Sequence, residues 1–358
     1  MISTYAPRVL YEALEFPVFQ NKVYDSQEGA VHCPKADIRL VEDLQSGLVY
    51  NALFEPELMA YDAQYQNEQG ESATFCKHLN DVADIIRRTL GTRALIEVGC
   101  GKGGFLEMLL KQGFDITGFD PAYEGDNPRI QQHYFREELD IHAHGIVLRH
   151  VLEHVQDPIT FLQSLSRANS EKGLIYIEVP CLDWINRNNA WFDIFYEHVN
   201  YFRLTDFSRI FGRIVASGHL FGGQYLYVVA DLASIRLPVI QEHERINFAV
   251  RFEAKQICQD SHTPVAVWGA SSKGVIFALM RSRIGLPIDL AVDINPAKQN
   301  KFMPVTGVPI LSPGAALPRL HKGATIFVVN SNYFDEIRTM SGDHYHYVCV
   351  DSRVTSDE

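Results

Sequence analysis

Apolar residues in the first fifth of the chain recur without a clear period, so residues 1–75 predict no regular element, and the polar run 64–71 closes that stretch. From 73 to 90 the pattern turns helical. Phe75, Leu79, Val82, Ile85, Ile86 and Leu90 recur every three or four residues, and Gly91 is placed to stop the helix. Short apolar runs then alternate with helical stretches. Segments 94–98, 114–119, 145–148, 174–179 and 224–229 read as strands, and 105–112 and 159–168 as helices. A parallel pair of strands needs a crossover, so this alternation predicts a parallel sheet covered by helices on both faces. Residues 235–263 are charged and read as a helical connector. A second alternation starts at Pro264, with strands at 265–268, 290–292 and 325–329 and a helix over about 275–283. The predicted fold class is α/β, a doubly wound Rossmann-like sheet plus a second, smaller Rossmann-like C-terminal domain. The expected divisions are an N-terminal segment 1–72, a first domain 73–234, the connector 235–263 and a C-terminal domain 264–358.

Composition narrows the classes of function. Hydrophobic residues make up 46% of the chain, enough for a packed core in each domain. The formal charge of −12 repels a phosphate backbone, so nucleic acid is not an expected partner. No apolar run reaches the ~18 residues of a membrane span, and residues 1–8 lack the basic and apolar regions of a secretory signal. The cysteines are scattered with no CxxC spacing, which predicts reduced thiols and a cytoplasmic protein.

The strongest local signal is Glu97-Val98-Gly99-Cys100-Gly101-Lys102-Gly103, at a predicted strand-to-helix turn. Glycine permits the tight turn and a close backbone approach to a ligand. Asp120 stands 21 residues after Gly99, at the end of the next strand, where a carboxylate can accept hydrogen bonds from ribose hydroxyls. Gly99, Gly101 and Gly104 also satisfy the dinucleotide pattern GxGxxG. The acid two places before the first glycine tips the reading towards S-adenosylmethionine (SAM), which has an amino-acid end and a sulfonium in place of a pyrophosphate. A NAD site and a purely structural turn are the competing readings.

Arg149-His150-Val151-Leu152-Glu153-His154 contains H-x-x-E-H, a zinc-protease pattern when carried on a long helix. Here it follows a short strand, and Pro158 comes four residues later, which leaves little room for such a helix. Packing histidines, or active-site histidines at the carboxyl end of a strand, are the other two readings. Further on, Glu197-His198 sets a carboxylate beside an imidazole within an aromatic run, an arrangement suited to a general base.

Taken in order, EVGCGKGGFLE, GFDP, RHVLEHVQDP, IEVP, FYEHVNYF, GASSKG, VDINPAKQNKFMPVTGVPI and NSNYFDEI resemble the sugar C-methyltransferases that act on keto nucleotide sugars, over roughly residues 50–358. The resemblance implies a class I methyltransferase domain that binds SAM and a C-terminal domain that helps hold a small-molecule acceptor, a nucleotide sugar. It implies a base that removes the proton alpha to a ketone, so that an enolate attacks the methyl group. The family's catalytic histidine matches His198 and its glutamate Glu197. His154 matches a further histidine, and Phe195 holds the family's tyrosine position, with Tyr196 one place later as the candidate phenol. The family usually opens with a four-cysteine zinc module. Residues 1–75 contain only Cys33, so no structural zinc is expected.

On this reading Glu97, Gly99, Gly101, Gly103, Asp120, Phe135 and Arg149 are the cofactor candidates, with Phe135 and Arg136 flanking the adenine. His198, Glu197, His154 and Tyr196 are the catalytic candidates. Lys273 in the second glycine turn, Asp293 after the following strand and Asn200 are the acceptor candidates. O-methylation of a sugar or other metabolite uses the same apparatus and stands as the nearest alternative. A non-catalytic nucleotide-binding scaffold and an NAD-linked oxidoreductase are more distant ones.

Overall fold

The computed structural model describes residues 6–59, 70, 72–136, 142–251 and 264–351. Three sheets organise it. Strands β1 (Arg8–Pro17), β2 (Lys35–Glu42) and β3 (Val49–Asn51) build an antiparallel sheet in the N-terminal segment, where the sequence predicted no element. Its fourth strand is β9 (Asn200–Tyr201), pairing with β3 through Val49–Tyr201 and Tyr50–Asn200. The polar run 64–71 lies outside the described residues, apart from Gly70.

The helix Ala73–Thr89 then begins at Ser72, whose hydroxyl caps the Phe75 amide, and Gly91 follows its end at φ +80°. Strands β4 (Leu95–Val98), β5 (Ile116–Phe119), β6 (Ile130–Gln131), β7 (Gly145–Arg149) and β8 (Leu174–Pro180) pair in parallel in the order β6-β5-β4-β7-β8. Gly103 opens the helix Gly104–Lys111, and Asp157 caps the helix Pro158–Ala168. The parallel expectation fails at one edge. Strand β10 (Ile214–Leu220) forms a hairpin with β11 (Tyr225–Asp231), and β11 lies antiparallel between β8 and β10. Direction reverses there because only four residues, Phe221–Gln224, join the two strands, with Gly222 at φ +65°.

Residues 235–251 are irregular apart from a single helical turn over Glu242–Glu244, so the predicted helix is not found there, and 252–263 lie outside the described residues. The third sheet is wholly parallel. Its order is β14 (Ile310–Leu311), β13 (Leu290–Val292), β12 (Val265–Trp268), β15 (Thr325–Val328) and β16 (His346–Cys349).

Each parallel sheet has a switch point where strand order reverses, between β4 and β7 and again between β12 and β15. Ligands of open α/β sheets bind at the carboxyl ends beside such points. One apolar core runs from Phe16 and Ile38 of the N-terminal sheet, across Ile146, Leu148 and Ile177 of the central sheet, to Val267 and Phe277 of the third. That continuity fixes the two switch points relative to each other. Trp191, fully buried, stacks on Phe277 at 6.2 Å between ring centroids and ties the central unit to the helix Ser272–Arg283. Among the described residues no helix is long and apolar enough to cross a membrane.

Candidate functional site

Both switch points open on one cavity of about 1230 Å³. Its wall takes Glu97, Gly99, Gly101 and Asp120 from the first glycine loop, His150, Glu153, His154 and His198 from the middle, and Gly269, Lys273, Asp293 and Lys298 from the second loop. Asn21 of the N-terminal segment also lines it.

The first loop is shaped by positive φ angles and close approach. Gly99 sits at φ +73°, and a Cβ there would lie 2.4 Å from Val151 Cγ2, so only glycine fits. Gly103 is held at φ +82° and is not among the cavity residues; it starts the following helix. Asp120 Oδ2 accepts the Gly101 amide at 2.7 Å and Oδ1 the Ala122 amide at 2.8 Å, so this carboxylate shapes the loop as well as facing the cavity. Glu97 is buried, and its Oε2 has no hydrogen-bond partner. Burial pushes its pKa up to about 7; Arg149 opposes the rise and Asp120 adds to it. Arg149 lays its guanidinium 4.3 Å from the centroid of Phe105. Phe135 does not reach the cavity. Its ring packs edge-on against Phe119 at 5.3 Å, and Gln132 and Tyr134 line the wall in its place.

Chain reversal after β7 brings up the histidines. His150 takes φ +52°, unusual for a residue with a Cβ, and leads into a single helical turn, Leu152–His154. Its Nδ1 lies 3.3 Å from Glu153 Oε1 and its Nε2 3.3 Å from Glu178 Oε1. Burial works against the charged ring, but the two carboxylates outweigh it and raise the pKa to about 9, so His150 is an imidazolium at neutral pH. Glu178, fully buried on β8, is the hub. Its Oε1 accepts from His78 Nε2 at 2.8 Å, and its Oε2 accepts from Tyr176 at 2.9 Å and Arg149 Nε at 3.1 Å. Although burial opposes ionisation, Arg149 and the two histidines hold the Glu178 pKa well below the usual carboxylate range.

His154 donates from Nδ1 to the Glu197 carbonyl at 2.8 Å, which in the neutral ring leaves Nε2 as an acceptor. His198 packs beside it, with ring centroids 5.0 Å apart. Burial, reinforced by His154 and His150, holds the His198 pKa well below the ordinary imidazole value, so the ring is neutral at pH 7. Its Nδ1 has no hydrogen-bond partner. The expected orienting role of the Glu197 carboxylate gives way to another. Glu197 Oε1 accepts the Gln20 amide at 2.6 Å and the Asn21 amide at 3.3 Å, fastening the N-terminal segment, and its carbonyl orients His154.

Two further expectations are corrected. Tyr196 turns away from the cavity: its hydroxyl accepts the Glu55 amide at 2.8 Å and its ring stacks on Phe54. Asn200 is not an acceptor contact. It donates to the Val155 carbonyl at 2.6 Å and so pins the turn that carries Glu153 and His154. Glu178 and Lys298 were not identified from the sequence, and His150 stood there only as one of the H-x-x-E-H histidines, without a role of its own. Glu178 had a signal, a lone carboxylate inside an otherwise apolar strand, as Glu97 has in β4. Lys298 had none.

The second loop repeats the acid geometry of the first. Asp293 Oδ2 accepts the Ala270 amide at 2.8 Å and Oδ1 the Asn295 amide at 2.9 Å, as Asp120 does with Gly101 and Ala122. Lys273 lies in the wall, but its ammonium sits 3.3 Å from Asp193 Oδ2 and 4.7 Å from the Trp184 ring centroid, so its charge is already compensated. Lys298 touches Ser271 Oγ and stands 3.9 Å from Asp293 Oδ2. Burial lowers its pKa against the pull of Asp293 and Glu197.

Residues 71–214 match the family described as a methyltransferase domain, and residues 251–345 match the C-methyltransferase C-terminal domain. The chain is 25% identical over 314 residues to C-methyltransferase NovU of Streptomyces niveus, covering 74% of this chain and 73% of that protein. It is 26% identical over 115 residues to the ubiquinone biosynthesis O-methyltransferase of Pectobacterium carotovorum subsp. carotovorum, 28% of this chain and 46% of that protein. A SAM-dependent methyltransferase structure from Archaeoglobus fulgidus overlays 44% of this chain and 99% of its own at a TM-score of 0.31 and 19% identity. The glycine loop, its two acids and the two matched domains converge on one conclusion: the chain is an enzyme, a methyltransferase whose cofactor is S-adenosylmethionine.

Proposed function

We propose that the enzyme methylates the carbon beside a ketone in a nucleotide-linked sugar, with His198 as the base. The observation that carries this reading is the position of the His154–His198 pair, the first partly buried and the second buried, between the two glycine loops of a single cavity. The first loop suits SAM. The buried, unpartnered Glu97 Oε2 can accept from an α-ammonium group, the backbone around Gly99 leaves room that a Cβ would fill, and Asp120 has lone pairs left for ribose hydroxyls. The cofactor supplies an electrophilic methyl group on a sulfonium. His198, neutral at pH 7, takes the proton from the carbon alpha to the carbonyl. The imidazolium of His150 adds positive potential for the developing enolate oxygen. His154 presents Nε2 as a fixed acceptor for a sugar hydroxyl. At the far end, Asp293 accepts from a second ribose and Lys298 neutralises phosphate. Lys273, which lines the same wall beside Asp193 as Lys298 does beside Asp293, is a second phosphate candidate.

The test is proton exchange. Enzyme with a keto nucleotide sugar in D2O and S-adenosylhomocysteine should wash out the alpha proton, and turnover with SAM should give a carbon-bound methyl signal by NMR. No exchange together with an oxygen-bound methyl product would move the assignment to O-methylation, the reading that the similarity to an O-methyltransferase supports.

Two binding predictions accompany this reading. Asp120→Ala should lose SAM and S-adenosylhomocysteine binding by calorimetry, because it removes the ribose acceptor and frees the Gly101 amide. SAM affinity of the wild type should rise as pH passes upward through about 7, since Glu97 must shed its proton to meet a cation. Glu97→Gln should abolish that pH step; a step that survives the substitution would assign it to another group.

A further inference from the structure

The H-x-x-E-H stretch does not act as a helical zinc motif, since His150 is engaged by Glu153 and Glu178. Its other two polar members, Glu153 and His154, meet His198 from a distant part of the chain. One ligand atom from each of these three residues lies within 4.8 Å of the other two. We propose that Glu153, His154 and His198 form a binding site for a single divalent d-block ion such as Zn2+.

Three features support it beyond proximity. The group is two imidazoles and one carboxylate, the donor set of open zinc sites, which leave further positions for water or substrate. Glu153 lines the cavity yet is 1% exposed, and its Oε2 has no hydrogen-bond partner, while Oε1 faces His150; one oxygen is therefore left over. A buried unpaired carboxylate oxygen is costly unless something charged meets it. His154 donates its Nδ1–H to the Glu197 carbonyl at 2.8 Å, the outer-shell bond that in metal sites fixes the tautomer and aims Nε2 at the ion. The buried His198 Nδ1, also unpartnered, adds a second lone pair. The nearby imidazolium of His150 does not preclude a dication, because Glu178 shares in compensating it.

A bound ion would take the lone pair that His198 needs as a base. The proposal thus makes the ion an inhibitor, and that inhibitory part rests on the His198 reading; the binding part does not. Co2+ serves as the probe, because ligation by histidine gives it visible d–d absorption. The experiment titrates Co2+ into full-length enzyme, then competes with Zn2+, for the wild type, His154→Ala and Glu153→Gln, with SAM calorimetry on each as the check of folding. The expected result is one ion per chain, displaced by Zn2+, with affinity reduced at least ~10–100-fold in either variant, the loss usual even for outer-shell changes. Wild-type spectra that stay those of aqueous Co2+, or binding that survives both substitutions, would overturn the site. Should His154→Ala fail to bind SAM, the outcome is decided on Glu153→Gln, which keeps the side-chain shape. Site-specific binding without loss of turnover would retain the metal site and instead reject His198 as the base.

Discussion

His198→Ala is expected to lower kcat by roughly 10²–10⁴-fold, the range for removing a general base, with little change in SAM affinity. The substitution takes away an imidazole whose pKa burial holds well below the ordinary value and whose Nδ1 has no hydrogen-bond partner. It leaves the glycine loop, Glu97 and Asp120 untouched, so calorimetric binding of S-adenosylhomocysteine should stay within about threefold of wild type, an order-of-magnitude allowance for a distant change. Alpha-proton exchange in D2O should fall in parallel with kcat. A structural role would instead lower cofactor binding and thermal stability together. If kcat falls while exchange persists, the proton is removed elsewhere, and His154, whose Nε2 is the neighbouring acceptor, becomes the base.

The second large effect is on stability. Glu178→Leu should destabilise the fold by about 3–5 kcal/mol, the cost typical of removing one partner from a buried ion pair. Arg149 and the partly buried His150 would be left facing an apolar side chain, with only Glu153 still beside His150, and His78 and Tyr176 would lose their acceptor. Urea unfolding at neutral pH measures this directly. Glu178→Gln, which keeps the volume and one acceptor oxygen, should cost less. Because the native pKa of Glu178 is depressed, its contribution is present above the unfolded carboxylate value and is lost as pH falls through the native one. The gap between wild type and Glu178→Gln should therefore close in acid. A Glu178→Leu protein as stable as wild type would show that the hub is not structural.

The parallel strands were legible because buried strands read as short, largely apolar runs followed by glycine or acid. The 94–98, 265–268 and 290–292 predictions lie within one residue of β4, β12 and β13. The N-terminal sheet was not legible. Strand β1 shifts register between Val9 and Tyr11 and again between Ala13 and Phe16, with Glu15 at φ +51°, so the alternation that marks a half-buried strand is broken twice. Strand β10 is an edge strand whose residues are all at least partly exposed, and it carries a glycine. In the site, the acid–glycine loop and the two histidines were readable from residue type and position. What Glu197, Tyr196 and Asn200 do was not, because it depends on residues far away in sequence. Gln20 lies 177 positions from Glu197, and Glu55 lies 141 from Tyr196. A carboxylate next to a histidine in sequence implies nothing about where its side chain points.

The pairing of β3 with β9 sets an order of events on the ribosome. Strands β1 to β3 are finished by residue 51, yet the strand that completes their sheet begins only at Asn200, and the Gln20 amide waits for Glu197. At roughly 5–20 residues per second, the nascent N-terminus spends on the order of ten seconds with an open sheet edge at Val49–Asn51 before its partner emerges. During that interval the edge presents unpaired backbone groups to which another copy can pair. Codon changes that slow translation between residues 51 and 200 are thus expected to lower soluble yield without altering the finished enzyme.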